Sequence, residues 1–197
     1  MALAQWRSGC GIAALGNIWI RATDSKTDLA IQRFNQSMTE PIIDLQSDHY
    51  FMGEALRQAA RAFAAEEVPV GAVVVREGRI IARAFNQVEL LKDATAHAEM
   101  LALTQAEEAI GDWRLTDCTL YVTKEPCPMC AGAIVHVRLA RTVYGASDPK
   151  AGAAGSALNL LQFPTLNHRC DVTAGVREPE CRALLQSFFA QQRETGG

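Results

Sequence analysis

The first sustained pattern begins at Ser47, where Met52, Leu56, Ala59 and Phe63 recur at helical spacing up to Glu66-Glu67. Ser47 suits the N-cap of that helix. Val70 to Val75 is then a continuous apolar run, and Glu77-Gly78 turns the chain into Ile80-Ile81-Ala82, which predicts a β-hairpin. A polar stretch over 86–95 reads as a loop, and a helix is expected from about Ala96 to Ile110, stopped by Gly111. Thr119–Thr123 and Thr142–Ala146 read as short buried strands on either side of a helix from Met129 to Arg138. Gly152-Ala-Ala-Gly155 predicts a pliant loop before a short apolar helix. Asp171 to Val176 reads as the last strand, and 178–193 as a closing helix. A hairpin followed by alternating helices and strands implies an α/β fold, a mixed sheet with helices on both faces.

Residues 1–45 carry no such period and read as an N-terminal extension to a domain spanning 46–197. Met38, just before the first patterned segment, is a plausible natural start that would leave 1–37 outside the native chain. The 197 residues suffice for one ordinary core, and no apolar stretch approaches the length of a membrane span. Residues 9–20 are mildly apolar, but Asn17 interrupts them and no clear cleavage site follows, so the cytoplasm is the expected compartment. Six cysteines in a chain this long do not suggest a disulfide scaffold, which favours a metal or redox role for the closest pair. The net charge of −3 excludes a protein that coats nucleic acid by bulk positive charge. Any polynucleotide must be gripped locally.

The candidate chemistry lies in two strings: His97-Ala-Glu99, and Pro126-Cys-Pro-Met-Cys130. His97, Cys127 and Cys130 would supply one nitrogen and two sulfurs to zinc, leaving a fourth position for water, as in a catalytic site. Cys127 and Cys130 can face one ion because residues three apart share a helix face. A helix N-terminus also helps a thiol lose its proton. Zinc makes water nucleophilic near neutral pH. Glu99, two residues from a ligand, is the candidate to move protons from that water. This His-x-Glu and Pro-Cys-x-x-Cys pairing is the known signature of zinc nucleobase deaminases. Cys118, Cys170 and Cys181 have no partner at ligand spacing and read as ordinary buried thiols, while Cys10 lies in the extension.

From about residue 47 to 194 the chain resembles the bacterial tRNA-specific adenosine deaminases of the cytidine deaminase superfamily. Glu67-Val-Pro-Val-Gly-Ala72, Asp93-Ala-Thr-Ala-His-Ala-Glu99, Leu120-Tyr-Val-Thr123 with Glu125-Pro126, and Gly152-Ala-Ala-Gly-Ser156 carry the resemblance. Asn167-His168-Arg169 and Phe188-Phe189 with Arg193 also fit it. It implies a three-layer α/β/α cytidine-deaminase-like fold with a mostly five-stranded mixed sheet, one zinc per subunit, a homodimer, and conversion of the tRNA wobble adenosine to inosine. The partner it implies is a tRNA anticodon loop whose target nucleotide is turned out into the pocket. Matched residue by residue, His97, Cys127 and Cys130 are the zinc ligands and Glu99 the proton donor. Asn86 would hold the target nucleotide, Asp148 and Lys150 the flanking ones, and Phe188 and Arg193 belong to the helix supporting the loop. Lys124 stands where the family usually has leucine, and Ala190-Gln-Gln192 thins a tail expected to be more basic.

Deaminases of free guanine, cytosine or cytidine share the zinc strings and are the nearest alternative. Riboflavin-pathway deaminases space the second thiol further from the first, which Cys127-Pro-Met-Cys130 disfavours. A structural zinc module would be expected to supply four ligands, and a thiol redox protein would hold no metal.

Overall fold

The computed structural model describes the backbone of residues 12–15, 18–21 and 44–195. The chain divides into two compact units, Met1–Ile43 and Asp44–Gly197. In the first, β1 (Ile12–Leu15) pairs antiparallel with β2 (Ile18–Arg21). These four-residue runs are too short to give the pattern that distinguishes a strand in sequence. Met38 and Cys10 lie outside the described residues.

The second unit opens with α1 (Asp48–Ala64), capped by Ser47, whose hydroxyl accepts from the Tyr50 amide. Its buried stripe includes Phe51, Met52, Ala55, Ala59 and Ala62, so it is rotated slightly from the expected Leu56–Phe63 face. Next come β3 (Gly71–Arg76) and β4 (Arg79–Phe85), the expected hairpin. The expected loop over 86–95 contains one short helix, α2 (Val88–Leu91). Then follow α3 (Ala98–Ile110), β5 (Cys118–Lys124), α4 (Pro128–His136), β6 (Arg141–Ala146), β7 (Asp171–Thr173) and α5 (Glu178–Thr195). Gly111 ends α3 in the left-handed region, φ 75°, and its amide donates to the Glu107 carbonyl.

The five strands lie in the order β4-β3-β5-β6-β7. β3 is antiparallel to β4 and β5, while β5–β6 and β6–β7 are parallel. Alternate residues therefore face opposite layers. Val73, Tyr121 and Val143 pack with Phe51 and Met52 of α1 and Cys181 of α5. Val74, Leu120, Val122 and Tyr144 pack with Ala102 and Leu103 of α3 and Ile134 of α4. This is the three-layer α/β/α arrangement with a mixed five-stranded sheet. Gly71 allows β3 to meet α1, since a Cβ there would lie 2.1 Å from the Ala55 carbonyl oxygen.

The apolar helix expected after Gly155 is absent. Its place is taken by turns and an isolated bridge between Ala154 and Asn159. The amides of Ala154 and Ser156 donate instead to the Glu125 carboxylate, and those of Ala157 and Leu158 to the Gly152 carbonyl. With those donors engaged elsewhere, no helical ladder forms.

Candidate active site

Two helix starts bring together the side chains that could hold a metal. His97 is the N-cap of α3 and Cys127 the N-cap of α4, both in extended backbone conformation and neither making a side-chain cap bond. Pro128 occupies the first turn of α4, where a missing N–H costs nothing. Cys130, one turn in, is fully buried. His97 Nδ1 lies 3.7 Å from Cys127 Sγ and 3.4 Å from Cys130 Sγ, and the two sulfurs are 3.6 Å apart. Tetrahedral zinc with its usual bonds of ~2.0–2.3 Å places such ligand atoms about 3.5–3.8 Å from one another. The three separations fit. Among the described residues this is the one group of His, Cys, Asp and Glu placed to share an ion.

The close contacts split the protonation preferences of the three groups. The hydrogen bond shared with Cys130, together with the neighbouring His97, holds the Cys127 thiol down to about 3. That same bond and burial push the Cys130 thiol up, and the Cys127 contact raises His97. Glu99 sits in the first turn of α3, 4 % exposed, and burial pushes its carboxyl up. Such a carboxyl takes a proton more readily than one in water, as an acid–base group near neutral pH requires. Cys118, Cys170 and Cys181 are buried free thiols that burial raises to about 12, 11 and 12. They have the unreactive character expected of them.

Glu99, His97 and Cys127 open onto a cleft of about 590 Å³ that Asn86, Lys124, Glu125 and Phe188 also line. Asn86 is 6 % exposed, and its Nδ2 donates to Glu67 Oε2 at 3.0 Å. The other Glu67 oxygen accepts from the Leu90 amide at 2.8 Å, tying α2 to the cleft wall. Asn86 is therefore held in one orientation, leaving its Oδ1 and a second Nδ2 proton for a ligand. Phe188 lines the cleft but is mostly buried, stacked edge-on against Phe63 of α1 and against Phe189. Phe189, 46 % exposed, is the aromatic ring that the cleft rim presents. Asp148, Lys150 and Arg193 lie outside the lining. Lys150 and Arg193 are exposed, and Asp148 is half-buried.

Sequence reading missed Glu67 and Glu125. Glu125, 1 % exposed, accepts from the Asp148, Ala154 and Ser156 amides at 2.9, 3.0 and 3.0 Å, and from the Ser156 hydroxyl. Burial raises its carboxyl, but these four donors outweigh that and hold it below its ordinary value. The loop over 148–156 is thereby fastened beside the segment carrying Cys127 and Cys130, to which the Ala153 amide adds a bond to the Pro126 carbonyl. Gly152 is required there, because a Cβ would lie 2.3 Å from the Glu125 carboxylate and 2.6 Å from the Asp148 carbonyl.

A three-layer sheet fold with a His/Cys/Cys trio at two helix starts and a buried carboxyl beside it fits a deaminase of the cytidine-deaminase-like class. The model of the MafB19-like deaminases matches residues 46–193, and the chain belongs to that family. It is 49 % identical over 150 residues to the tRNA-specific adenosine deaminase of Bacillus subtilis, covering 76 % of this chain and 93 % of the relative. The Agrobacterium fabrum protein of that name is 46 % identical over 144 residues, covering 73 % and 95 %. A structure described in work on A-to-I editing by tRNA:A34 deaminases is 47 % identical with a TM-score of 0.66, covering 68 % of this chain and 98 % of that one. A structure of NE0047 in complex with 2,6-diaminopurine is 28 % identical, also with a TM-score of 0.66, covering 81 % and 89 %.

Proposed function

We propose that this chain is a zinc-dependent tRNA adenosine deaminase that converts the wobble adenosine of an anticodon loop to inosine. The observation that carries the chemistry is the trio of ligand atoms, 3.4 to 3.7 Å apart, with buried Glu99 on the same cleft. The substrate class is supported by the names of relatives at 46–49 % identity. His97, Cys127 and Cys130 would hold one zinc per subunit. When bound, zinc supplies a positive centre that makes water nucleophilic near neutral pH.

The rest belongs to the chain's own side chains. Water adds to the ring carbon bearing the amino group, and Glu99 takes a water proton and delivers it to the adjacent ring nitrogen. Glu99 then moves a second proton to the departing nitrogen, so adenosine and water give inosine and ammonia. Asn86, braced by Glu67, holds the target nucleotide. Asp148 and Lys150 meet flanking nucleotides, while Phe188 and Arg193 on α5 support the loop, with Phe189 supplying the exposed ring. A homodimer with α4 against its partner, and a cytoplasmic site of action, complete the proposal. Among the described residues no helix is long and apolar enough to cross a membrane.

The test is incubation of the zinc-loaded protein with an anticodon stem-loop carrying adenosine, alongside free adenine, guanine and cytosine. Inosine in the stem-loop supports the proposal. Turnover of free bases alone overturns it and favours the base-deaminase alternative.

A further inference from the structure

The lining of the cleft is acidic, and its charge balance isolates one residue. Among the described residues, Glu66, Glu67, Glu89, Glu99 and Glu125 line it, and away from the candidate metal site at His97 and Cys127, Lys124 is the one Lys or Arg side chain of the lining. Glu67 and Glu125 are occupied by internal donors, and exposed Glu89 accepts from Lys92 at 3.2 Å. Outside the candidate metal site, a phosphate at such a rim is repelled by the acidic side chains and attracted at Lys124.

Lys124 is also held in place. The parallel pairing of β5 with β6 sets Lys124 opposite Ala146, which brings Asp148, two residues further on, beside it. Lys124 Nζ lies 2.5 Å from Asp148 Oδ2. The other Asp148 oxygen accepts from the Lys150 and Ala151 amides at 3.0 and 3.1 Å, so the carboxylate is fixed from behind. An ammonium has three donors, and this contact uses one. With the Lys124 side chain 32 % exposed, the pair contributes little to stability and leaves the charge available to a ligand.

We infer that Lys124, oriented by Asp148, is a substrate-binding residue that contacts a phosphate group next to the reacting nucleotide. The inference rests on the proposed function for its polynucleotide form. It also assigns Asp148 a second task, as the anchor that aims a neighbouring cation.

The test measures stem-loop binding to the zinc-loaded protein across a salt series, for wild type, Lys124→Met, Lys124→Arg and Asp148→Asn. Lys124→Met is expected to weaken binding evenly across loop sequences and to flatten the slope of log affinity against log salt by ~0.7. Lys124→Arg should restore the slope. Asp148→Asn, which frees the cation without removing it, should keep the slope while weakening affinity. A merely structural Lys124 would change melting without moving the slope. An unchanged slope in Lys124→Met overturns the inference and leaves the proposed function standing. Should the wild-type protein not act on the stem-loop, the proposed function falls alone, and the comparison is made with adenosine 5′-monophosphate against adenosine. A preference for the phosphate that Lys124→Met abolishes then supports the inference, and equal binding of the two in the wild type overturns it.

Discussion

Replacing Glu125 tests whether one carboxylate holds the loop that flanks Cys127 and Cys130. Glu125→Ala strips an acceptor from three backbone amides and one hydroxyl. Ala154 is buried, so its amide is left without a partner at a cost of ~1–3 kcal/mol. Asp148 is half-buried and Ser156 exposed, so water replaces part of what their donors lose. The total is about 3 kcal/mol, which in a domain of this size lowers Tm by ~6–12 °C. Glu125→Gln keeps one acceptor oxygen but sets an NH₂ against a donor, so about 2 kcal/mol is expected. The folded carboxyl lies below its ordinary value, so its contribution is complete above the unfolded pKa of ~4.3 and fades as pH falls through the folded one. Thermal melting gives the global cost, and hydrogen exchange over 148–156 gives the local one. If both variants melt within ~1 °C of wild type and exchange in 148–156 is unchanged, the anchoring argument is wrong.

Three further outcomes are expected. Glu99→Gln should retain zinc while turnover falls at least ~100-fold, and full activity at full metal occupancy would remove Glu99 from the mechanism. Asp48 accepts from both Arg141 nitrogens at 3.0 and 2.7 Å and from the Tyr121 hydroxyl at 2.8 Å, and the Arg141 bond above all holds its carboxyl below the ordinary value. This partly exposed cluster is worth ~1–2 kcal/mol at pH 7. Asp48→Asn should lose that much, and its deficit should shrink as pH drops below ~4, because a depressed carboxyl stabilises only while ionised; a deficit independent of pH contradicts the assignment. Phe188→Ala should cost ~3 kcal/mol in urea unfolding because it empties a buried site between two rings, whereas Phe189→Ala should leave unfolding within ~0.5 kcal/mol and weaken stem-loop binding. Equal stability losses in the two would refute this division of roles.

How far the chain could be read from its letters depended on the distance between cooperating residues. Cys127 and Cys130 share a helix turn, and His97 and Glu99 share another, so spacing alone was enough to predict the grouping of His97, Cys127 and Cys130. The runs that became β3 and β5 lie buried between two layers, and continuous hydrophobicity announces that. Glu67 and Glu125 fell in segments that carry the family resemblance, but their bracing roles gave no signal because an isolated acid in a sequence resembles a solvated one. Only the donors arriving from 19 to 31 residues away distinguish them. The segment after Gly155 looked helical from its apolar content, and the same distant carboxylate removed the amides a helix needs. Lys124 and Asp148 meet through strand register, which no local pattern encodes.

The bare starts of α3 and α4 have a thermodynamic consequence. A serine or aspartate in place of His97 or Cys127 would cap its helix and gain ~1 kcal/mol. The protein forgoes that gain twice to keep imidazole and thiol at those positions. Under the proposed function, ion binding would be coupled to the order of both first turns, and chelation should loosen them together while the sheet beneath stays intact.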